Sequence, residues 1–321
     1  MKPRVVATRP FPGPAFERLG AQLELWIGPE EGTPRELLLE RGRDAEGLIC
    51  TLDDRVDAAL LDGLPRLRIV ATPAAGTDHI DLEAARARGL WVCHAPDATT
   101  ESTADLALAL LLGAARRVIE GDRLIREGRF GGWTPSLLLG LELSGATLGV
   151  VGAGRIGQAV LRRARGFGLR LLYTRRGGVL PELEAELGAS FRTLGALLEE
   201  SEIVSLHVPL LAGTRHLIDE AALARMKPGA ILVNTARGAI VDEAALVRAL
   251  EAGRLGAAGL DVFEREPEVH PGLLRCERAL LLPHLGSATL VARARMAAEA
   301  ARAVAAVLVE GRAPDRALIR P

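Results

Sequence analysis

Residues 146–157 read Ala146-Thr147-Leu148-Gly149-Val150-Val151-Gly152-Ala153-Gly154-Arg155-Ile156-Gly157. A short apolar run leads straight into a GxGxxG turn. Residues 155–167 then carry a helical pattern, and 169–173 form a second apolar run. With 35 glycines in the chain, the turn alone means little. A strand before it and a helix after it are the context that a dinucleotide-binding turn requires. Gly152 permits the tight turn, Gly154 lets backbone approach a pyrophosphate, and Gly157 lets the helix pack on the strand. The helix N-terminus, opened by Arg155 and Ile156, offers unpaired N–H groups to phosphate. The second strand ends in Tyr173-Thr174-Arg175-Arg176, with no Asp or Glu. A carboxylate there would accept from a ribose 2′-OH; a hydroxyl and two guanidiniums suit a 2′-phosphate instead. NADP(H) is therefore expected over NAD(H), with NAD(H) as the alternative if the arginines are a solvated pair.

Outward from this turn the pattern repeats. Strands are expected near 4–8, 23–27, 47–52, 67–72 and 90–93, with helices at 35–41, 56–63 and 81–88 between them. Further strands are expected at 203–207, 230–234, 256–261 and 279–282, with helices at 194–200, 219–226 and 242–253. Such alternation specifies α/β architecture with doubly wound parallel sheets. Two domains are expected: a dinucleotide-binding domain over 98–284, and a discontinuous one made of 1–97 with 285–321, because the lone helix at 288–310 returns to the first sheet. The Ser/Thr-rich stretch 98–105 carries N-cap signals for a helix at 106–117 that is apolar almost all round. Such a helix must be covered on several sides, as it would be between domains or at a subunit interface; a homodimer through the nucleotide-binding domain is expected.

The 40 basic and 41 acidic residues nearly cancel, so no electrostatic footprint for nucleic acid or an anionic membrane exists. No apolar run is long enough to cross a bilayer, and Met1–Thr8 turns polar too early for a signal peptide. Cys50, Cys93 and Cys276 lie far apart. They offer neither a disulfide framework nor a metal site, and a cytoplasmic location is expected. Asn234 is the only asparagine. Few amides and many arginines fit a thermophile or a GC-rich genome equally.

Three segments concentrate reactive side chains: Asn234-Thr235-Ala236-Arg237-Gly238, Asp261-Val262-Phe263-Glu264-Arg265-Glu266-Pro267, and Pro283-His284-Leu285-Gly286-Ser287-Ala288-Thr289. Each follows an expected strand. Open α/β sheets bind ligands outside the carboxyl ends of their strands, so all three converge on the edge that holds the glycine turn.

With Ala75-Gly76-Thr77-Asp78 and Leu206-His207-Val208-Pro209-Leu210, these stretches resemble the D-isomer-specific 2-hydroxyacid dehydrogenases over essentially the full length. Gly131-Gly132-Trp133 and Tyr173-Thr174-Arg175 are most similar to the glyoxylate/hydroxypyruvate reductases of that family. The resemblance implies a flavodoxin-like substrate domain beside a Rossmann domain, and a small 2-oxo acid as substrate. It places the catalytic Arg, Glu and His on Arg237, Glu266 and His284. It puts Asp261 near the nicotinamide carboxamide, with Thr103, Val208, Pro209, Thr235 and Gly286 around the cofactor. Ala75, Gly76 and Ser287 join Arg237 around the substrate. The chemistry agrees. His284 can donate a proton near neutral pH, Glu266 can hold its tautomer, and the planar fork of Arg237 grips a carboxylate as Lys cannot. Glu264 is the competing acid; the family pattern favours the one immediately before Pro267. His79, His94, His207, His216 and His270 are read as structural, and Trp133 as a loop or interface residue. Thr134-Pro135-Ser136 stand where such reductases can carry a second aromatic.

Two other readings compete. A phosphorylated substrate, such as 3-phosphoglycerate, would need extra cations, for which Arg4, Arg9, Arg55 and Arg66 are the candidates. A dinucleotide-sensing module without turnover is also compatible with the fold, but would not need Arg237, Glu266 and His284 together.

Overall fold

A computed structural model describes residues 2–320. Two units emerge, dividing at Thr99/Thr100 and Gly286/Ser287, so the first unit is built from both ends of the chain. The strands are β1 (Arg4–Ala7), β2 (Glu24–Ile27), β3 (Gly47–Ile49), β4 (Ile69–Ala71), β5 (Trp91–Cys93), β6 (Thr147–Val151), β7 (Arg170–Thr174), β8 (Ser190–Phe191), β9 (Ile203–Leu206), β10 (Ala230–Asn234), β11 (Leu255–Leu260), β12 (Ala279–Leu281) and β13 (Ala317–Ile319).

The first unit holds a six-stranded sheet of order β13-β5-β4-β3-β1-β2. All its pairings are parallel except β13 with β5. The helix Leu290–Leu308, capped by the Thr289 side chain on the Ala292 N–H, buries Ala297, Ala300, Ala301, Val304 and Val307. They share a core with β1, β3 and β4 and with the helix Ala15–Gln22. Small side chains on that face let a long helix lie close against the sheet.

The second unit holds a seven-stranded, wholly parallel sheet of order β12-β11-β10-β9-β6-β7-β8. Both α/β sheets expected from the alternation are present. All five residues of β6 and of β10 are buried, the pattern of strands covered on both faces. Asp57, Asp81, Thr193, Asp219 and Asp242 each cap the helix that follows with a side-chain oxygen, satisfying N–H groups that would otherwise be orphaned.

The apolar helix differs from expectation. It runs Thr100–Ala115, taking in the Ser/Thr stretch, and ends before Arg117, whose φ is 53°. Arg163 pins its first turn by pairing with Glu101 at 2.7 Å and Asp105 at 2.6 Å. Its apolar surface is covered within its own unit, by residues of the helix Arg155–Arg165 and of β6, β9 and β10. Its apolarity therefore says nothing about a partner subunit. A short helix, Val118–Arg126, follows it and buries no residue. Among the described residues, no helix is long and apolar enough to cross a membrane, and all three cysteines are free.

Candidate active site

Six neighbouring strands of the second unit deliver one segment each to the same sheet edge. In spatial order these are His284 after β12, Glu266 after β11, Arg237 after β10, Val208 after β9, Gly152 after β6 and Arg175 after β7. The sheet's order reverses between β9 and β6, which is where such sheets bind nucleotides.

At the glycine turn, Gly152 has a φ of 100°, and a Cβ there would lie 2.6 Å from the His207 carbonyl oxygen and 2.8 Å from Val208. Gly157 is equally closed, with the Gly152 carbonyl oxygen 2.1 Å from an added Cβ. Gly154 is different: a Cβ there meets nothing within 4 Å, so its backbone faces open space. As N-cap of the helix Arg155–Arg165 it supplies no side-chain acceptor, unlike the Asp and Thr caps above. Gly154 therefore leaves the start of this helix without a side-chain cap of its own, as an anion site requires. At the end of β7, Thr174 and Arg175 are half-buried and Arg176 is exposed. Neither arginine forms an ion pair among the described residues. Thr235, at the end of β10, has a buried Oγ1 with no hydrogen-bond partner in the structure. The donor and acceptor set thus fits a nicotinamide dinucleotide.

His284 sits in a left-handed backbone conformation, φ 54°, a position that strains a non-glycine residue. Its N–H donates to the Asp261 carbonyl at 2.9 Å. Asp261 also fixes the next two residues, its carboxylate accepting from Leu285 N–H at 2.6 Å and Gly286 N–H at 2.8 Å. Burial pushes the Asp261 carboxyl up from its ordinary range, and those two N–H groups pull it down. Thr103 closes the turn from the far side, donating to the Gly286 carbonyl at 3.1 Å. The strain at His284 is therefore held by bonds from Asp261 and Thr103 to the backbone of its turn.

The His284 Nδ1 lies 2.8 Å from Glu266 Oε2, and both side chains remain about one-third exposed. Nε2 is thus the ring atom left to exchange a proton. Glu266 Oε1 accepts from the Phe263 N–H at 2.9 Å. Burial raises the Glu266 carboxyl, but the His284 bond, the Phe263 N–H and the charge of Arg237 outweigh it, holding Glu266 below its ordinary value. Arg237 is half-buried. The turn that presents it is closed by Asn234, whose Nδ2 donates to the Arg237 carbonyl at 2.9 Å and whose Oδ1 accepts from Ala236 N–H at 3.0 Å. The sequence reading did not count Asn234 among the site residues, though it is the chain's only asparagine.

The competing residues find other partners. Glu264 accepts from Arg215 at 2.9 Å and faces His216 Nε2 at 2.8 Å. His207 lies beside Ser205 Oγ at 2.8 Å, and burial pushes it down to about 3, leaving it neutral at physiological pH. His270 caps the helix Pro271–Arg275. In the first unit, His94 contacts the Ala75 carbonyl at 2.9 Å and His79 lies near Cys50. Ala75, Gly76 and Ser287 belong to this first unit.

Residues 108–286 match the profile of the D-isomer specific 2-hydroxyacid dehydrogenase, NAD binding domain. A glyoxylate reductase of Thermococcus onnurineus is 48% identical over 307 residues, covering 94% of this chain and 92% of that protein. A glyoxylate reductase of Aeropyrum pernix is 46% identical over 327 residues, covering 99% and 96%. Among solved structures, an NADPH-dependent glyoxylate/hydroxypyruvate reductase of Sinorhizobium meliloti, in complex with NADP and malonate, superposes with a TM-score of 0.88. It is 33% identical, with 100% of this chain and 99% of that one covered.

Proposed function

Because the chain belongs to the D-isomer specific 2-hydroxyacid dehydrogenase family of NAD(P)-dependent oxidoreductases, we propose that it reduces glyoxylate to glycolate and hydroxypyruvate to D-glycerate, with NADPH preferred. The observation that carries this reading is the pairing of His284 with Glu266 on the edge that also presents Arg237 and the glycine turn.

Reducing a 2-oxo acid needs a hydride, a proton and a grip on the carboxylate. When bound, the reduced nicotinamide supplies the hydride. Arg237 holds the substrate carboxylate through a planar, charge-assisted fork. Glu266 fixes the His284 ring so that Nε2 gives its proton to the carbonyl oxygen, which becomes the product hydroxyl. Substrate size is supported by the first unit. Each arginine that would have recognised a phosphate faces a carboxylate instead: Arg4 with Glu24 at 3.1 Å, Arg9 with Asp53 at 2.7 Å, Arg55 with Asp57 at 3.4 Å and Arg66 with Asp44 at 3.8 Å. The reading therefore favours a small unphosphorylated acid.

The NADPH preference rests on Thr174 and the unpaired Arg175 and Arg176. Replacing both arginines with alanine is expected to raise KM for NADPH about tenfold or more, with glyoxylate as substrate, because charge-assisted bonds contribute about 1.5–3 kcal/mol. KM for NADH should stay near its wild-type value. Equal effects on both cofactors would remove the preference from these residues.

A homodimer is part of the same reading, supported by the exposed apolar stretch after the helix Thr100–Ala115. Val118, Ile119, Ile125, Phe130, Trp133 and Leu139 all face solvent, Trp133 at 79% and Leu139 at 69% exposure. Clustered exposure of this kind marks an interaction surface. Sedimentation should give a species of twice the 34.0 kDa chain mass; a monomer at all concentrations would contradict it.

A further inference from the structure

The Glu266 carboxylate is oriented by its own loop, through the Phe263 N–H. Its direction therefore depends on where the Phe263–Glu264 backbone sits. Three contacts fix that backbone from outside. Glu243, in the first turn of the helix Glu243–Glu251, is only 7% exposed, and its Oε1 accepts from the Glu264 N–H at 2.6 Å. The Glu264 carboxylate is held by His216 and Arg215. Gly238, next to Arg237, lies so close that an added Cβ would be 1.8 Å from the Phe263 carbonyl carbon.

His216 touches both sides of this arrangement. Its backbone N–H donates to the Ala239 carbonyl at 2.8 Å, on the turn that carries Arg237. Its ring reaches Glu264, on the loop that carries Glu266. A left-handed backbone, φ 49°, lets one residue do both. Burying a carboxylate such as Glu243 is costly unless it is hydrogen-bonded. Burial pushes Glu243 up from its ordinary value, the Glu264 N–H and nearby His270 lower it, and the charges of Glu264 and Glu266 raise it again. A buried acid facing two other acids is an expensive way to fasten a loop, and a simple helix N-terminus does not require it.

We infer that Glu243 and His216 are positioning residues, a two-part bracket that holds the Glu266 loop against the Arg237 turn. The inference rests on the roles proposed above for Arg237, Glu266 and His284. Without the bracket, the Phe263 N–H drifts from Glu266, and Glu266 in turn no longer aims His284.

The test compares Glu243→Ala, Glu243→Gln and His216→Asn with wild type and with His284→Ala. Misplacing a catalytic group by about 1 Å can cost about 10²-fold, so Glu243→Ala is expected to lower kcat about 10- to 100-fold while KM for NADPH holds. Glu243→Gln keeps an acceptor oxygen and should restore most of kcat. His216→Asn tolerates the left-handed backbone but is too short to reach Glu264. It should lower kcat in the same direction. It is also the decisive variant should Glu243→Ala not fold.

The pH profile separates positioning from mere stability. The cations facing Glu266 are His284 and Arg237, and the carboxylates near it are Asp261 and Glu243. Because Glu266 is held below its ordinary value, the acid limb of wild-type kcat/KM should lie below the usual carboxylate range. In His216→Asn, which leaves the Glu243 carboxylate in place, loss of the Phe263 N–H moves that acid limb to higher pH; Glu243→Ala also removes a negative charge near Glu266, so its limb should lie above that of Glu243→Gln, which removes the same charge but keeps the acceptor. Lower thermal stability with unchanged kcat and an unmoved limb would overturn the bracket, as would Glu243→Gln failing as badly as Glu243→Ala. If His284→Ala kept full turnover, the underlying reading would fall instead, and the bracket with it.

Discussion

Replacing His284 with alanine is expected to reduce kcat with glyoxylate by about 10²- to 10⁴-fold, the range for loss of a positioned proton donor. NADPH affinity should not change. The prediction is sharp because no other histidine can stand in. His207 is held neutral by burial and sits beside Ser205. His216 is occupied by Glu264, and His270 by its helix cap. His94 is occupied by the Ala75 carbonyl, and His79 lies beside Cys50. The variant should lose at most about 1 kcal/mol of stability, since it breaks only an ion pair that is one-third exposed, and exposed pairs contribute about 0–1 kcal/mol. Fluorescence titration with NADPH beside steady-state turnover measures both halves. Retained turnover would remove His284 from the chemistry.

The second large effect concerns Arg237. Removing one partner of a hydrogen-bonded charge pair typically costs about 2–5 kcal/mol, which corresponds to roughly 30- to 5,000-fold in kcat/KM. Arg237→Ala should fall in that range. Arg237→Lys should recover only part of it, because a point charge cannot reproduce a bidentate fork. The backbone around the residue is held by Asn234, to which the guanidinium adds one bond to the Ala236 carbonyl at 2.8 Å, so neither variant should unfold. Full activity in Arg237→Lys would show that charge alone suffices. The fork would then not be the recognising element.

The parts of this molecule that sequence reveals are those decided locally. β6 and the glycine turn are legible because five consecutive buried residues, a tight turn and a helix start lie within a dozen positions. The same holds for β10, whose limits coincide with the apolar run 230–234. β13 was not legible. Its three residues carry no pattern of their own and pair antiparallel with β5, more than two hundred positions away. The helix Thr100–Ala115 was read too short because its polar first turn is fastened by Arg163, from a different helix.

The site follows the same rule. Arg237, Glu266 and His284 stand in segments whose residue types announce chemistry. Their supports do not. Glu243 reads as an ordinary acid in a helix first turn, where negative charge suits the dipole; only the fold brings it to the Glu264 N–H. His216 reads as one more histidine until its ring meets Glu264, 48 positions on. Asn234 was the exception that could have been found, as a sole asparagine at a strand end beside Arg237. The apolar helix is covered by its own unit, and the exposed apolar residues lie in the segment that follows it.

The most direct measurement is oxidation of NADPH and of NADH by the purified protein, followed by loss of reduced-nicotinamide absorbance with glyoxylate, hydroxypyruvate and pyruvate in turn. The account predicts turnover with glyoxylate and hydroxypyruvate, with a higher kcat/KM for NADPH than for NADH. No oxidation of either cofactor by any of the three acids would contradict it.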